Sequence, residues 1–250
     1  MSAVVFCAAA GSSGVSTTAL LVAAMSDRSL PVVFAEFDPS GGDLAAWFES
    51  TDPARGMASL VTEPDRSLTG AARHMQTLPS GLAVWVAPTR TVQASVAVRA
   101  VSGWLVPMLA AAQGFRTVCD AGRVDPAGVP PVVTQAGLVV VVVRQTEDSA
   151  PATTARVERA VELVGRLTQS DIPTGLVVIG TGPYRPDDLA GHIDAALLGV
   201  LPVDGRGAAT ACGAWTLGRS AGRSILAGAA RTLAVGVWAH LDAVSPAGIR

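Results

Sequence analysis

The sequence predicts one α/β domain in three layers, a mostly parallel sheet of about seven strands with helices on both faces. Three observations lead there. Short apolar runs recur along the whole chain. They are apolar at nearly every position rather than at alternate ones, as in strands buried on both faces. Longer amphipathic stretches lie between them and supply the covering helices. No repeat, charge block or Pro/Ser-rich linker divides residues 1–250.

Ala3–Ala9 (AVVFCAA) reads as the first strand, followed by a Gly/Ser turn and a helix over Val15–Met25. Pro31–Glu36 (PVVFAE) is the second strand and runs into Asp38-Pro39. Thr51–Ser80 is the least regular stretch and reads as an irregular or helical insertion. Leu82–Ala87 is the third strand, and Val92–Ala112 a helix with Pro107 as the place for a bend. Phe115–Asp120 (FRTVCD) and Leu138–Val143 (LVVVVV) are strands four and five. Asp148–Thr168 is a helix carrying Arg156, Glu158, Arg159 and Glu162. Thr174–Ile179 and Leu197–Leu201 complete the strands. Arg223–Leu241 closes the chain as a helix. Its Ile225, Leu226, Ala229, Leu233, Val237 and Leu241 have helical spacing and are expected to pack on the domain.

Composition narrows the function. Half of the 250 residues are hydrophobic and 15% are charged, which excludes a disordered chain. Aromatics are 4%, so Ala, Val and Leu must build the core. The net charge of −2 gives no general attraction to nucleic acid or anionic membrane. Arg219, Arg223 and Arg231 form a thin basic stripe, read as a solvated face. All 18 basic residues are arginine, so no step can use a lysine amine of this chain. The three cysteines, Cys7, Cys119 and Cys212, make no C-x-x-C, and His74, His192 and His240 are isolated. A zinc site or disulfide framework is not expected. The apolar N-terminus lacks a basic start and is broken by Gly11–Gly14, unlike a signal peptide. The nearest approach to a membrane span, Ile225–Leu241, contains Arg231 and His240. A cytoplasmic protein is expected.

Three strand ends carry unusual sequence, and ligands of such sheets bind beyond the carboxyl ends of the strands. The first is Gly11-Ser12-Ser13-Gly14-Val15-Ser16-Thr17-Thr18. Small residues let the backbone wrap an anion, and the N–H groups of the following helix point at it. The plainer alternative is a Gly/Ser turn with a serine cap. The second is Glu36-Phe37-Asp38-Pro39-Ser40-Gly41-Gly42, where an acid can hold a metal-bound water or a ribose. Alternatively, Asp38 or Ser40 caps the next helix. The third is Cys119-Asp120-Ala121-Gly122-Arg123, where Asp120 can assist magnesium or simply face solvent.

Together these segments resemble the MinD/ParA family of P-loop ATPases, including its CpaE/TadZ branch. The family loop K-G-G-x-G-K-T-T is similar to Ser12–Ala19. The D-x-D-P-x-G element is similar to Glu36–Gly41, and Asp120 to the Walker B acid. The resemblance continues to Leu201-Pro202-Val203-Asp204, where the family has a loop near adenine. It implies a P-loop NTPase-like fold and ATP or ADP with magnesium. The implied nucleotide-binding residues are Gly11, Ser12, Ser13, Gly14, Val15, Ser16, Thr17, Thr18 and Pro202. Thr18, Asp38 and Asp120 would attend the metal, and Asp38 would be catalytic in an active enzyme.

The departures set the expected function. Ser12 stands at the signature lysine and Thr17 at the Walker lysine, the cations that act where charge develops in phosphoryl transfer. One lost stabilising donor costs on the order of 3–4 kcal/mol, roughly several-hundred-fold in rate. Gly180-Thr181-Gly182 stands where the family places an adenine-binding Asn. The expectation is therefore a pseudo-ATPase with weak or no nucleotide binding, a positioning or regulatory protein acting through unidentified protein partners. A homodimer would need an interface other than lysine-bridged nucleotide. An active ATPase using Arg123 or Arg144 is the first alternative. A short-chain reductase binding NAD(P) is the second, weakened because Tyr184 is the only tyrosine and no lysine can join it. Nothing in the sequence assembles a hydrolase triad.

Overall fold

A computed structural model describes residues 2–27, 29–147, 149–213 and 224–244. The strands are β1 (Ala3–Ala8), β2 (Val32–Glu36), β3 (Gln76–Thr77), β4 (Ala83–Trp85), β5 (Arg116–Arg123), β6 (Leu138–Arg144), β7 (Thr174–Ile179) and β8 (Ala196–Leu201). The helices are α1 (Val15–Met25), α2 (Leu44–Trp47), α3 (Met57–Leu60), α4 (Leu68–Ala72), α5 (Thr91–Ala111), α6 (Pro131–Thr134), α7 (Ala150–Thr168), α8 (Pro186–Ile193), α9 (Gly205–Ala211) and α10 (Ile225–Val244).

The strands form one sheet in the order β3-β4-β2-β5-β1-β6-β7-β8. Every pairing is parallel except β3 with β4. The sheet thus has eight strands rather than about seven. The extra strand is a two-residue antiparallel edge, too short to leave an apolar run.

Both faces of the sheet are covered, as the unbroken apolar strands require. Val5 and Cys7 of β1 face a core shared with α3, α4, α5, α6, α7 and α8. Val4 and Phe6 face a second core with α1 and α10. Along α10, Leu226, Leu233, Val237 and Leu241 are buried, but Ile225 is 78% exposed and does not pack. Arg219 and Arg223 lie outside the described residues, as does Asp148 before α7. Arg231 is exposed and sits 3.8 Å from the Met25 sulfur.

Among the described residues one helix, α5, is long and apolar enough to cross a membrane by length and composition, with a mean hydropathy of 1.5. This corrects the reading that Ile225–Leu241 comes nearest. The inner side of α5, including Ala97, Val101, Leu105 and Leu109, is buried in the core. Pro107 lies within α5, which continues unbroken through it.

The stretch 51–80 folds against the sheet. The Trp85 indole N–H donates to the Ala71 carbonyl at 2.9 Å and ties α4 to β4. Gly56, at φ +116°, presses on the backbone of Val86, where a side chain has no room.

Candidate functional site

The parallel register sets Phe6 and Glu36 level with Asp120 on either side of it. The loops leaving β1, β2 and β5 therefore converge. Gly14 begins α1 in the left-handed region (φ 81°) and provides no side-chain cap. Ser12 also has positive φ, 57°. The first intrahelical bond is Thr18 N–H to the Gly14 carbonyl, 3.0 Å. The Val15, Ser16 and Thr17 N–H groups precede it and lie in the turn where helix donors lack internal acceptors. They border a cavity of about 310 Å³ lined by Ala10–Thr17, Asp38, Asp43, Trp47, Gly122 and Arg123. The backbone shape is that of an anion cradle.

The side chains answer differently. The Ser13 hydroxyl is buried and donates back to the Ala10 carbonyl at 2.8 Å. The Thr17 hydroxyl hydrogen-bonds the Cys212 thiol, 3.7 Å away beyond α9. Val15 is buried beneath the loop. Thr18 is 1% exposed and lines a neighbouring cavity of about 150 Å³ with Pro202, Val203, Asp204 and Arg144. Gly14 and Thr17 border both cavities.

The acids are held firmly. Glu36 accepts the Asp43 and Leu44 N–H groups on one oxygen (2.7 and 2.8 Å) and the Ala87 N–H on the other (2.8 Å). Gly42 lies against that carboxylate and the Ala87 carbonyl, so a side chain there would collide. Burial pushes Glu36 up to about 8, against the pull of its three N–H donors. Asp38 accepts the Ser40 N–H at 2.7 Å and rests against Gly122. Partial burial raises its pKa, with a further contribution from Asp43. Asp120 accepts the Gly122 N–H at 2.9 Å. Burial pushes it up to about 7; the Ser16 hydroxyl and Gly122 N–H lower it, while Asp38 and Asp43 raise it. Neither Asp38 nor Ser40 caps a helix: the N-cap of α2 is Asp43, which makes no side-chain cap bond.

No protein-family model matches the chain, and no curated protein matches it by sequence. Solved structures do match. A ParA family ATPase from Chlorobium tepidum TLS aligns at TM-score 0.71 and 16% identity, over 94% of this chain and 97% of that one. The septum site-determining protein MinD of Pyrococcus horikoshii OT3, complexed with Mg-ADP, aligns at 0.69 and 15%, over 94% and 95%. MinD in the MinC:MinD cell division complex of Aquifex aeolicus aligns at 0.68 and 10%, over 96% of each chain. The fold is the MinD/ParA fold.

That fold corrects the reductase alternative. Here β1 lies between β5 and β6, whereas the dinucleotide-binding order 3-2-1-4-5-6 sets the second strand beside the first. It also refines the site. Among the metal-attending candidates, only Asp38 lines the loop cavity; Thr18 borders the adjoining one, and Asp120 is buried under Gly122. Among the described residues no group of three or more His, Cys, Asp or Glu side chains could hold a metal ion. Arg123 lines the cavity and Arg144 the adjoining one, so both candidate arginines border the MinD/ParA-type loop.

The sequence reading missed a second cluster. His74 hydrogen-bonds both Ser59 and Glu63 within 51–80. A lone histidine in an aperiodic stretch carries no signal by itself, and the contacts arise only when α3 and α4 fold together.

Proposed function

We propose that this chain is a degenerate protein of the MinD/ParA fold, a pseudo-ATPase with weak or no nucleotide binding that works by engaging protein partners in the cytoplasm. The charge of the loop cavity carries the reading. Among the described residues, Asp38 and Asp43 line it against one cation, Arg123, and the side chain at the position the resemblance gives to the Walker lysine is a threonine bonded to Cys212. The backbone cradle suits a phosphate in shape, but among the described residues only Arg123 offers a triphosphate a cationic side chain there, and no hydrolytic step is assigned. Among the structural neighbours, one MinD is solved with Mg-ADP and another with MinC. Engagement of a protein is the capacity this chain retains on our reading, and any homodimer would use a surface outside the phosphate loop.

Calorimetric titration with ATP and ADP in magnesium, paired with light scattering for mass, tests this. The expected result is no saturable heat, no nucleotide-driven change in mass and no phosphate release. Magnesium-dependent turnover that Asp38→Ala or Asp120→Ala abolishes would overturn it. The position of Arg123 favours one second reading, an active ATPase in which this guanidinium replaces the lysine. In that case Arg123→Ala would abolish nucleotide binding while leaving the fold intact.

A further inference from the structure

The Ser59 cluster stands apart from the phosphate loop, and its hydrogen bonds have a direction. The His74 Nε2 lies 2.7 Å from Glu63 Oε2, and Nδ1 lies 2.6 Å from Ser59 Oγ. A carboxylate only accepts, so Nε2 carries a proton, and in the neutral ring Nδ1 is then an acceptor. The Ser59 hydroxyl has one proton. It can reach Nδ1 at 2.6 Å or the Gly56 carbonyl at 3.2 Å, and the shorter bond to a basic nitrogen is the stronger. The result is serine to imidazole to carboxylate, the arrangement that activates a hydroxyl nucleophile. The ring is turned end for end relative to the serine-protease triad, but such constellations are recognised by geometry and roles. Glu63 is held in turn by Arg73, 3.6 Å away, and its side chain is 9% exposed.

Ser59 is not sealed in. It lines a cavity of about 610 Å³ together with Pro53, Ala58, Val61, Val92 and Val96. Three of these are exposed valines: Val61 at 41%, Val92 at 78% and Val96 at 61%. An apolar groove beside an activated serine is what an acyl chain requires.

We propose that Ser59, His74 and Glu63 form an acyl-transfer site that takes esters with a short apolar acyl group. Ser59 Oγ attacks the ester carbonyl carbon while its proton passes to His74 Nδ1. The ester C–O bond breaks, and the leaving alkoxide takes that proton. Water then attacks the acyl carbon as Nδ1 takes one of its protons, the bond from Ser59 Oγ to the acyl carbon breaks, Oγ takes that proton back, and the carboxylic acid leaves. Glu63 is a positioning residue that fixes the tautomer of the ring.

The test treats the purified full chain with a fluorophosphonate probe, maps the adduct by mass spectrometry and follows p-nitrophenyl butyrate hydrolysis. The expected result is modification at Ser59, blocked by the ester, with hydrolysis lost in Ser59→Ala. His74→Gln should slow labelling by about a hundredfold or more, the usual contribution of a general base. In the parent, imidazole nitrogen resonances should report one tautomer, Nε2–H, and Glu63→Gln should lose that signature. Absence of an adduct at Ser59 in the unaltered chain overturns the proposal without reference to any variant's folding. So does labelling that a folded His74→Gln leaves unchanged. Neither outcome bears on the nucleotide question.

Discussion

Two cavities are lined by residues that follow the carboxyl ends of parallel strands, and the segment Asp38–Gly42 touches the walls of both. Asp38 borders the cavity of the phosphate loop, while Gly41 and Gly42 lie against Ala87–Thr89, whose last two residues, Pro88 and Thr89, border the Ser59 cavity. The first cavity is backbone-built: its donors are amides of a helix start, and the Ser13 and Thr17 hydroxyls turn away to Ala10 and Cys212. The second is side-chain-built: Ser59 lines it beside exposed valines, and the His74 imidazole and Glu63 carboxylate bond in sequence behind Ser59, outside the lining. Backbone geometry persists through substitution because main-chain atoms make it, whereas charge at the same site is lost with single side chains. On the proposed function, the first region would keep a backbone shape while its side chains changed.

The largest expected effect joins the two regions. Glu36 holds the shared segment through three backbone N–H groups. Glu36→Ala leaves those donors buried without acceptors, at about 1–3 kcal/mol each. A total loss of about 3–5 kcal/mol would lower the melting temperature by roughly 10 °C or more. A change of under about 1 kcal/mol in denaturant unfolding would mean that the segment stands by other means and that the cavities are independent.

The next effect acts on the first cavity alone. Thr17→Lys returns a cation to the turn of α1 and removes the bond to Cys212. A charge-assisted hydrogen bond is worth about 1.5–3 kcal/mol, so magnesium-ATP affinity should tighten about tenfold or more. Equal calorimetric affinity before and after the change would show that the loop is not a phosphate cradle.

A third effect reads the buried acids. Glu36 and Asp120 are displaced upward from their ordinary values of 4.5 and 3.8 to about 8 and about 7. Between those limits the folded chain holds more protons than the unfolded one, so stability falls as pH rises. The contribution is whole below the ordinary values and is lost as pH passes through the raised ones. Glu63 and Asp65 are displaced downward, chiefly by side-chain hydrogen bonds to His74 and Ser67, and finish titrating below this window. Melting temperature should therefore decline as pH is raised from about 5 to about 8, and Asp120→Asn should flatten the decline. A rising profile in the same buffers would contradict the burial argument.

How much of this was legible follows from the kind of signal each part leaves. Val15–Met25 and Thr174–Ile179 appear with the limits read from sequence, because apolar patterning and turn residues bound them on both sides. The Gln76–Thr77 edge was missed because two residues carry no period. Asp38 could be placed near the loop because a parallel sheet brings strand ends together. The turned hydroxyls of Ser13 and Thr17 could not, since each depends on a partner fixed only by folding. Ser59 and His74 lie fifteen positions apart, with Glu63 between them, in chain without periodicity. Their assembly rests on Gly56 fitting against Val86 and on the Trp85 bond to Ala71, both tertiary contacts.

The smallest expected effect bears on the second cavity. Val92 and Val96 are exposed near the start of α5, so Val92→Ser with Val96→Ser removes little buried surface. Exposed substitutions of this kind usually alter stability by less than about 0.5 kcal/mol each. Their effect should fall on acyl-chain preference instead: the advantage of p-nitrophenyl butyrate over acetate should shrink as the groove loses methyl groups. Each methylene placed against an apolar wall is worth about 0.8 kcal/mol, roughly fourfold in rate for every one that binds. If the serine pair melts with the parent and hydrolyses both esters in the parent's ratio, the valines do not hold the chain. The acyl group would then lie toward Pro53 and Ala58. A pair that melts several degrees lower would instead show that the two valines support α5 itself, and the contrast between a backbone-built and a side-chain-built cavity would lose its second member.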